Sequence, residues 1–303
     1  MADSHSIKWL HLSDLHIRVP VGTGRQGDQK YVLDQLLHFV REQMPRLLKP
    51  DFIFVTGDLA FSGSKKDYTG RELSVEKFLD QLLEEAGLGK GRLYTVPGNH
   101  DVERDSIGTP AAKDESRLED HSSESLCKEI IDRVFPTKDK NFDRDLLLNR
   151  HQAYSQFCRR YFGEERYPGL KKRKLGKILP VLAYTAKPEI PGCGQTFGLA
   201  GLCTSFISQS RYCSQEDDDR QGSQFVCVKT VEDAAKALKD EPFRIALMHH
   251  PPEWLLAPER DRLGRAGYLF SEFDLILTGH VHKKEPLWNP PQHGQRAIRC
   301  SAG

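Results

Sequence analysis

Side chains that bind metal ions follow several short apolar segments of this sequence. The central segment is Asp51–Gly63, DFIFVTGDLAFSG, in which Asp58 comes shortly after the run Phe52–Val55 and directly after Gly57. A short run of aromatic and β-branched residues without polar alternation is typical of a parallel strand buried on both faces. Ligands of open α/β sheets bind beyond the carboxyl ends of the strands. The segment therefore predicts that Asp58 faces a binding crevice, although a lone Asp after a strand is more often a turn residue.

Four other predicted strands end in the same way. They are Ile7–Leu12 before Asp14 and His16, Leu93–Val96 before Asn99, His100 and Asp101, Ile245–Met248 before His249 and His250, and Leu275–Thr278 before His280 and His282. Imidazole and carboxylate together are the ligands of Zn, Mn and Fe sites, and more are present than one tetrahedral ion requires. We therefore expect five strand ends to meet at one edge of a sheet and to hold two divalent metal ions.

The composition favours one large α/β domain that extends over residues 1–303. A chain of 303 residues suffices for such a domain with a full core and is short for two catalytic domains. Lysine and arginine number 44 against 43 aspartates and glutamates, so the net charge of +1 indicates no general affinity for nucleic acid or for an acidic partner.

The cysteines and the apolar segments predict a cytoplasmic protein with no membrane contact. The 7 cysteines are scattered and lack C-x-x-C spacing, which is typical of reduced thiols. No apolar run approaches the ~20 residues that span a bilayer, and MADSHSIKW at the N-terminus lacks a signal segment. Because the chain ends directly after a predicted strand at Arg296–Cys300, we expect it to be part of a longer protein with further C-terminal domains.

Helical patterns alternate with the predicted strands. Apolar residues at a spacing of three to four predict helices at Tyr31–Leu48 and at Arg71–Glu85, the second of which ends at Gly87. The alternation of strands and helices indicates βαβ units. Further predicted elements are strands of a second sheet at Leu199–Phe206 and Phe225–Val228 and a helix at Val231–Leu238.

Residues 102–175 interrupt this alternation. They contain a polar stretch followed by helical patterns at Leu126–Val134 and Leu146–Phe162, and we interpret them as a helical insertion. The insertion forms either a lid or wall for substrate or a cap that does not touch it, and the sequence favours neither alternative.

Three other segments carry weaker signals. The loop Val21–Gly27 contains G-x-G-x-x-G, but the preceding strand ends too early for a dinucleotide site, so a flexible loop is favoured. The basic cluster Lys171–Lys174 could hold a phosphate backbone, but without interleaved aromatic residues a solvated loop is favoured. The acidic run Glu216–Asp219 is typical of an exposed turn.

The five strand-end motifs D-x-H, G-D, G-N-H-D, H-H-P-P and G-H-x-H, in this order, resemble those of the calcineurin-like metallophosphoesterases. The resemblance extends from Asp14 to His282 and is specific as a set. It implies a four-layer α/β/β/α sandwich with a two-metal centre at the strand ends. Two subfamilies are disfavoured: Phe61 stands where purple acid phosphatases have a ligating Tyr, and the second and third motifs differ from those of protein Ser/Thr phosphatases.

The resemblance implies a role for each motif residue. One ion would be held by Asp14, His16, Asp58 and His282, and the other by Asp58, Asn99, His249 and His280. Of the paired histidines we expect His249 to be the ligand and His250 to support it or to face the substrate. His100 would lie beside the phosphate as a catalytic residue, oriented by Asp101. Outside the motifs, we expect Arg18 to contact substrate.

The resemblance to the phosphodiesterase branch predicts a hydrolase of nucleotide-type diesters that acts through a metal-bound hydroxide, with Mn, Zn or Fe as the metal. The segment Phe243–Lys283 looks most like the N-terminal metallophosphoesterase domains of larger bacterial proteins. Three alternatives remain: a nuclease effector that acts on DNA or RNA, a phosphomonoesterase, and a metal-binding module whose catalysis is vestigial.

Overall fold

The computed structural model describes residues 6–18, 26–70, 73–103, 123–134, 147–164, 166, 183–208, 221–264, 268–282, 288–289 and 297–302. The basic cluster, the acidic run and most of the loop Val21–Gly27 lie outside these residues, as does the polar stretch of the insertion.

The first sheet contains three parallel strands, β1 (Trp9–Leu12), β2 (Phe52–Thr56) and β3 (Leu93–Val96), in that order. Their register, with Leu12 opposite Val55, places the three carboxyl ends at one edge. All residues of β2 and β3 are buried. The prediction of these strands is confirmed, except that β1 begins at Trp9 rather than Ile7.

The second sheet contains six strands in the order β4-β5-β6-β7-β9-β8. The strands are β4 (Ala183–Ala186), β5 (Gly198–Leu202), β6 (Arg244–Met248), β7 (Leu275–Thr278), β8 (Trp288–Asn289) and β9 (Ile298–Ser301). The four inner strands are parallel and the two edge strands antiparallel. The carboxyl ends of β6 and β7 therefore lie at the same edge of this sheet.

The strand predicted at Phe225–Val228 is wrong. Phe225 forms only an isolated bridge with Ser205, and Val228 begins a helix. The backbone N–H groups of Val226 and Val228 donate to the buried carboxylate of Glu259 instead of to a neighbouring strand. A side-chain acceptor has thus taken the place of a strand partner.

The helices cover the outer faces of the two sheets. They are α1 (Gln26–Glu42), α2 (Met44–Leu47), α3 (Lys65–Thr69), α4 (Val75–Ala86), α5 (Ser123–Val134), α6 (Gln152–Phe162), α7 (Val228–Ala237), α8 (Ala257–Gly264) and α9 (Tyr268–Glu272). The helix predicted at Tyr31–Leu48 is in fact two, because Pro45 at the start of α2 cannot continue the hydrogen bonding of α1. Gly87 ends α4 as predicted, in a left-handed conformation with φ of 64°.

Three hydrophobic clusters separate four layers. Phe52 and Phe54 of the first sheet pack against Ile245 and Leu247 of the second. Ile53 and the other alternate residues of β2 face the opposite way, toward α1, α4 and α6. The outer face of the second sheet packs in the same manner against α7, α8 and α9. The α/β/β/α sandwich is therefore confirmed, and it follows from the period-two alternation of strand side chains.

Helices α5 and α6, which lie within the insertion, pack into the body of the protein. Phe157 of α6 is fully buried and stacks on Tyr68 of α3 at a centroid distance of 5.0 Å. Ile130 of α5 belongs to a separate cluster with Phe206 and Phe225. Both helices contribute core residues, and a lid formed by the rest of the insertion stays a prediction.

The six described cysteines are free thiols. Within the ranges given above, every helix is too short or too polar to traverse a lipid bilayer.

Candidate metal centre

The motif residues lie where the carboxyl ends of the two sheets meet. The single sheet expected from the residues is wrong, because β1, β2 and β3 form one sheet while β6 and β7 belong to the other. The sheets pack face to face, so their carboxyl ends line one edge of the sandwich. Nδ1 of His249, just after β6, lies 2.8 Å from the carbonyl oxygen of Thr56 in β2 and joins the two sheets directly.

Asp58 lies among ligand-type atoms from both sheets. Its Oδ2 is 3.4 Å from Nε2 of His249 and 3.8 Å from Nε2 of His16. Its Oδ1 accepts a hydrogen bond from the backbone N–H of His100 at 2.8 Å. Oδ1 of Asn99 is 3.0 Å from Nε2 of His249. A cation near Asp58 would therefore have oxygen and nitrogen donors within reach on several sides.

Asp14 gathers the remaining motif residues. Its Oδ1 is 3.3 Å from Nε2 of His282, and its Oδ2 accepts a hydrogen bond from the backbone N–H of His280 at 3.1 Å. The rings of His16 and His282 stack with centroids 5.5 Å apart. The ends of β1 and β7 are thus held together, and the structure brings all seven predicted ligands into one cluster.

This cluster contains several overlapping groups of possible metal ligands. Four overlapping groups contain three residues each, and within each group the donor atoms lie within 4.8 Å of one another. The groups are Asp14 with His16 and His282, Asp14 with Asp58 and His249, His16 with Asp58 and His100, and His249 with His250 and His280. Asp14, Asp58, His16 and His249 each belong to two of these groups, so they are possible ligands of a divalent metal ion.

The protonation of the cluster also suits a cation. Burial and the charge of His100 lower the pKa of His16 to about 4, and burial together with His249 lowers the pKa of His280 to about 3. Both imidazoles are therefore neutral at pH 7, which is the form that binds metal. Burial raises the pKa of Asp58 to about 7 against the opposing charge of His249. A divalent ion would reverse this shift and stabilise the carboxylate.

Five of the predicted ligands adopt a left-handed backbone conformation. Their φ values are 58° for Asp14, 46° for His16, 54° for Asp58, 72° for His280 and 45° for His282. Among the described non-glycine residues, Cys227 is the only other one with positive φ. This conformation costs about 1–2 kcal/mol per residue. Because five such residues lie together at the predicted ligands, we infer that the loop conformation serves function rather than stability.

Gly57 allows the close approach of β2 to the ligand loops. It has φ of 94°, and an added Cβ atom would lie 2.5 Å from Nδ1 of His249 and 2.9 Å from Cα of Gly98. We expect Gly57→Ala to lower the free energy of unfolding by about 2–4 kcal/mol through strain and overpacking. Urea denaturation measures this, and calorimetric zinc titration should show weaker binding because His249 is displaced. Gly91→Ala is the control, since its Cβ would meet no atom within 4 Å.

The expected role of Asp101 as the residue that orients His100 is wrong. Its carboxylate is fully buried and accepts four other hydrogen bonds, from the backbone N–H groups of Gly98, Leu59 and Ala60 and from the hydroxyl of Tyr68. The ring of His100 is oriented by the carbonyl oxygen of Phe61, which is 2.7 Å from its Nδ1. Asp101 instead ties the loop of Asp58 to the loop of Asn99.

We expect Asp101→Asn to lower the free energy of unfolding by about 3 kcal/mol, because an amide nitrogen would face N–H donors in a buried position. Tyr68→Phe, which removes one of the four bonds, should cost about 1 kcal/mol. Urea denaturation of the metal-free protein measures both changes. Normal stability of Asp101→Asn combined with an altered pH dependence of kcat would instead indicate that Asp101 acts on His100.

The two expected substrate contacts differ in exposure. His250 is fully buried, and its Nδ1 lies 2.9 Å from Oγ1 of Thr204, which fits the supporting role; the alternative in which it faces the substrate stays a prediction. Arg18 is half-buried, and its guanidinium lies over the ring of Phe61 near His100. Contact of Arg18 with substrate stays a prediction.

Sequence reasoning missed several residues that position the cluster. Tyr68 and Thr204 carry no recognisable signal, because packing alone brings them to Asp101 and His250. Trp254 follows the H-H-P-P motif closely, and its ring lies 4.2 Å from that of His280. Its proximity to a motif is the only signal that could have singled it out.

Comparisons with known proteins agree with the motifs. The chain matches the family model of the calcineurin-like phosphoesterases over residues 7–284. It is 32% identical over 277 residues to an uncharacterized metallophosphoesterase-like protein, YydB, of Bacillus subtilis; the alignment covers 91% of this chain and 49% of that protein. The chain thus spans about half the length of this curated relative.

Solved structures show weaker similarity. A sulfate thiohydrolase, SoxB, of Thermus thermophilus in complex with glycerol has a TM-score of 0.43 and 11% identity, with 99% of this chain and 52% of that chain covered. A candidate 5′-nucleotidase of Staphylococcus aureus in complex with alpha-ketoglutarate has a TM-score of 0.44 and 18% identity. The match covers 98% of this chain and 48% of that chain. Neither similarity indicates a function. The family model, in contrast, spans every motif from Asp14 to His282, and the chain therefore belongs to the calcineurin-like phosphoesterase family.

Proposed function

We propose that this protein is a two-metal phosphoester hydrolase and that its preferred substrate is a nucleotide-type phosphodiester. The observation that carries the proposal is the position of Asp58, whose carboxylate lies within 4 Å of His16 and His249 from different sheets. A carboxylate between two donor sets would be able to serve as a ligand to both ions when they are bound.

Each ion would have its own ligands in this arrangement. Asp14, His16, Asp58 and His282 would hold one, and Asp58, Asn99, His249 and His280 would hold the other, as Mn, Zn or Fe. When bound, the ions would supply a nucleophile at neutral pH and neutralise charge on the phosphoryl oxygens. The buried His250 and Thr204 would support His249 and His280 from behind.

His100 would act on the leaving group. Because its Nδ1–H donates to the carbonyl oxygen of Phe61, Nε2 is the atom that can carry a proton to the departing alkoxide. The backbone N–H of His100 is bonded to Asp58, so this ring keeps a fixed position beside the metal ligands. The left-handed ligand loops and the Asp101 hydrogen bonds would preserve that geometry without metal.

The test uses protein stripped of metal and reloaded separately with Mn, Zn or Fe. We expect chelator-sensitive release of nitrophenolate from bis(p-nitrophenyl) phosphate, with slower release from p-nitrophenyl phosphate. Re-addition of the metal after chelation should restore the activity. Faster hydrolysis of the monoester would favour the phosphomonoesterase alternative, and no chelator-sensitive release from either compound would contradict the proposal.

The nuclease alternative rested on the basic cluster Lys171–Lys174, which lies outside the described residues, and on the helical insertion, of which α5 and α6 are described. It stays a prediction. If the metal-loaded protein cleaves neither single- nor double-stranded DNA or RNA, the nuclease alternative is ruled out.

A further inference from the structure

Arg18 is a half-buried cation beside the candidate metal centre. Its guanidinium carbon lies 4.7 Å from the centroid of the Phe61 ring. Within the described part of the chain its side chain makes neither a hydrogen bond nor an ion pair. Partial desolvation of a charged group is unfavourable unless an opposite charge compensates for it. An arginine in this state has its donors available for an anionic ligand.

Main-chain hydrogen bonds fix Arg18 beside Phe61. The N–H of Ile17 donates to the carbonyl oxygen of Leu59 at 2.9 Å, and the N–H of Phe61 donates to the carbonyl oxygen of Ile17 at 3.0 Å. These bonds continue the pairing of β1 and β2 beyond the strand ends, and Ile17 is fully buried. The backbone that carries Arg18 is therefore fixed beside Phe61 before any ligand binds, and the guanidinium lies over the Phe61 ring, which lowers the entropy lost on binding.

Phe61 connects Arg18 to the reacting end of the site. Its ring centroid lies 5.7 Å from that of His100 and 6.5 Å from that of His16. Its carbonyl oxygen orients His100, and 38% of the residue is exposed. A ligand bound near His100 could therefore extend to the guanidinium.

We infer that Arg18 and Phe61 form a second anion-binding subsite, so the substrate is a nucleotide with a phosphate in addition to the one that is hydrolysed. This inference rests on the proposed function. The two ions would neutralise the reacting phosphoryl group, and Arg18 supplies a further positive charge that this group does not need. A guanidinium matches the geometry of a phosphate with two parallel hydrogen bonds.

The first test measures binding without metal. Calorimetry compares thymidine 3′,5′-bisphosphate with thymidine 5′-monophosphate on metal-free protein. We expect the bisphosphate to bind more tightly, and Arg18→Gln to weaken its binding about tenfold, as for loss of a charge-assisted hydrogen bond. Arg46→Gln is the matched control, because Arg46 is exposed on α2, which precedes the amino end of β2. Equal binding of the two nucleotides, or no bisphosphate binding, would overturn the subsite.

The second test measures turnover. The p-nitrophenyl ester of thymidine 5′-phosphate, with and without a 3′-phosphate, provides matched substrates for the metal-loaded protein. Arg18→Gln should raise KM about tenfold for the 3′-phosphorylated ester alone and leave kcat unchanged, and Arg18→Lys should restore part of the loss. Equal effects on both esters would overturn the inference. If the wild type hydrolyses neither ester, the proposed function fails, and the calorimetry still decides whether the subsite exists.

Discussion

Replacement of Asp58 by asparagine is expected to remove metal from both positions of the centre and to lower turnover by at least ~10³-fold. Asparagine has nearly the same shape, but it lacks the charge that faces His16 and His249. A bridging carboxylate is shared, so one substitution weakens two ions at once. Each bound ion contributes several kcal/mol to stabilisation of the transition state. Metal content per chain and kcat are the two measurements.

The matched control lies at the other end of the same strand. Asp51 precedes β2 and its Oδ2 accepts a hydrogen bond from the backbone N–H of Lys8 at 2.9 Å. Asp51→Asn therefore makes the same chemical change far from the metal centre and should keep normal metal content and turnover. If Asp58→Asn retains two ions per chain with a normal rate, the assignment of Asp58 as the shared ligand is wrong.

His100→Asn is expected to lower kcat by ~10²–10⁴-fold while metal content stays normal. The ring of His100 is held through Nδ1 by the carbonyl oxygen of Phe61, so Nε2 is the ring nitrogen that would act on the leaving group. Asparagine cannot supply a proton near neutral pH. The change is measured with the aryl diester, and His38→Asn, at an exposed position of α1, serves as the control.

The same variant separates three roles for His100. Its donor atom also lies within 4.8 Å of those of His16 and Asp58, so a ligand role is geometrically available. Loss of metal from His100→Asn would show that it is a ligand. Loss of turnover alone would exclude a module whose catalysis is vestigial. An unchanged rate would remove His100 from the mechanism.

The strand ends were predictable because each has a local cause. The apolar run Phe52–Val55 and the break at Gly57 determine β2 and the place of Asp58 without reference to any other segment. Membership of β6 and β7 in a second sheet was not predictable from their residues, since the pairing of strands depends on contacts far apart in sequence. The two sheets of the sandwich were predicted by the resemblance of the motifs to a known family and not by the local pattern of residues.

The predicted role of Asp101 was wrong because the sequence does not show that its carboxylate is buried. The motif resemblance implied that Asp101 orients His100, yet the carboxylate of Asp101 is turned into the core toward Tyr68 and three N–H groups. The helix α3, which carries Tyr68, is too short to give a periodic signal. The left-handed conformations of Asp14 and His282 likewise have no sequence signature, because these residue types adopt several conformations.

The division of the centre between two sheets has a consequence for biosynthesis. The first sheet is complete once β3 ends at Val96, whereas β6 begins only at Arg244. A growing polypeptide therefore carries Asp14, His16, Asp58 and Asn99 during the synthesis of residues 100–248, before any of the later histidines proposed as ligands has been added. During that interval the face bearing Phe52 and Phe54 has no partner sheet and stays open to other apolar surfaces. If the proposed ligands are correct, full coordination must wait until His282, which follows β7, has left the ribosome.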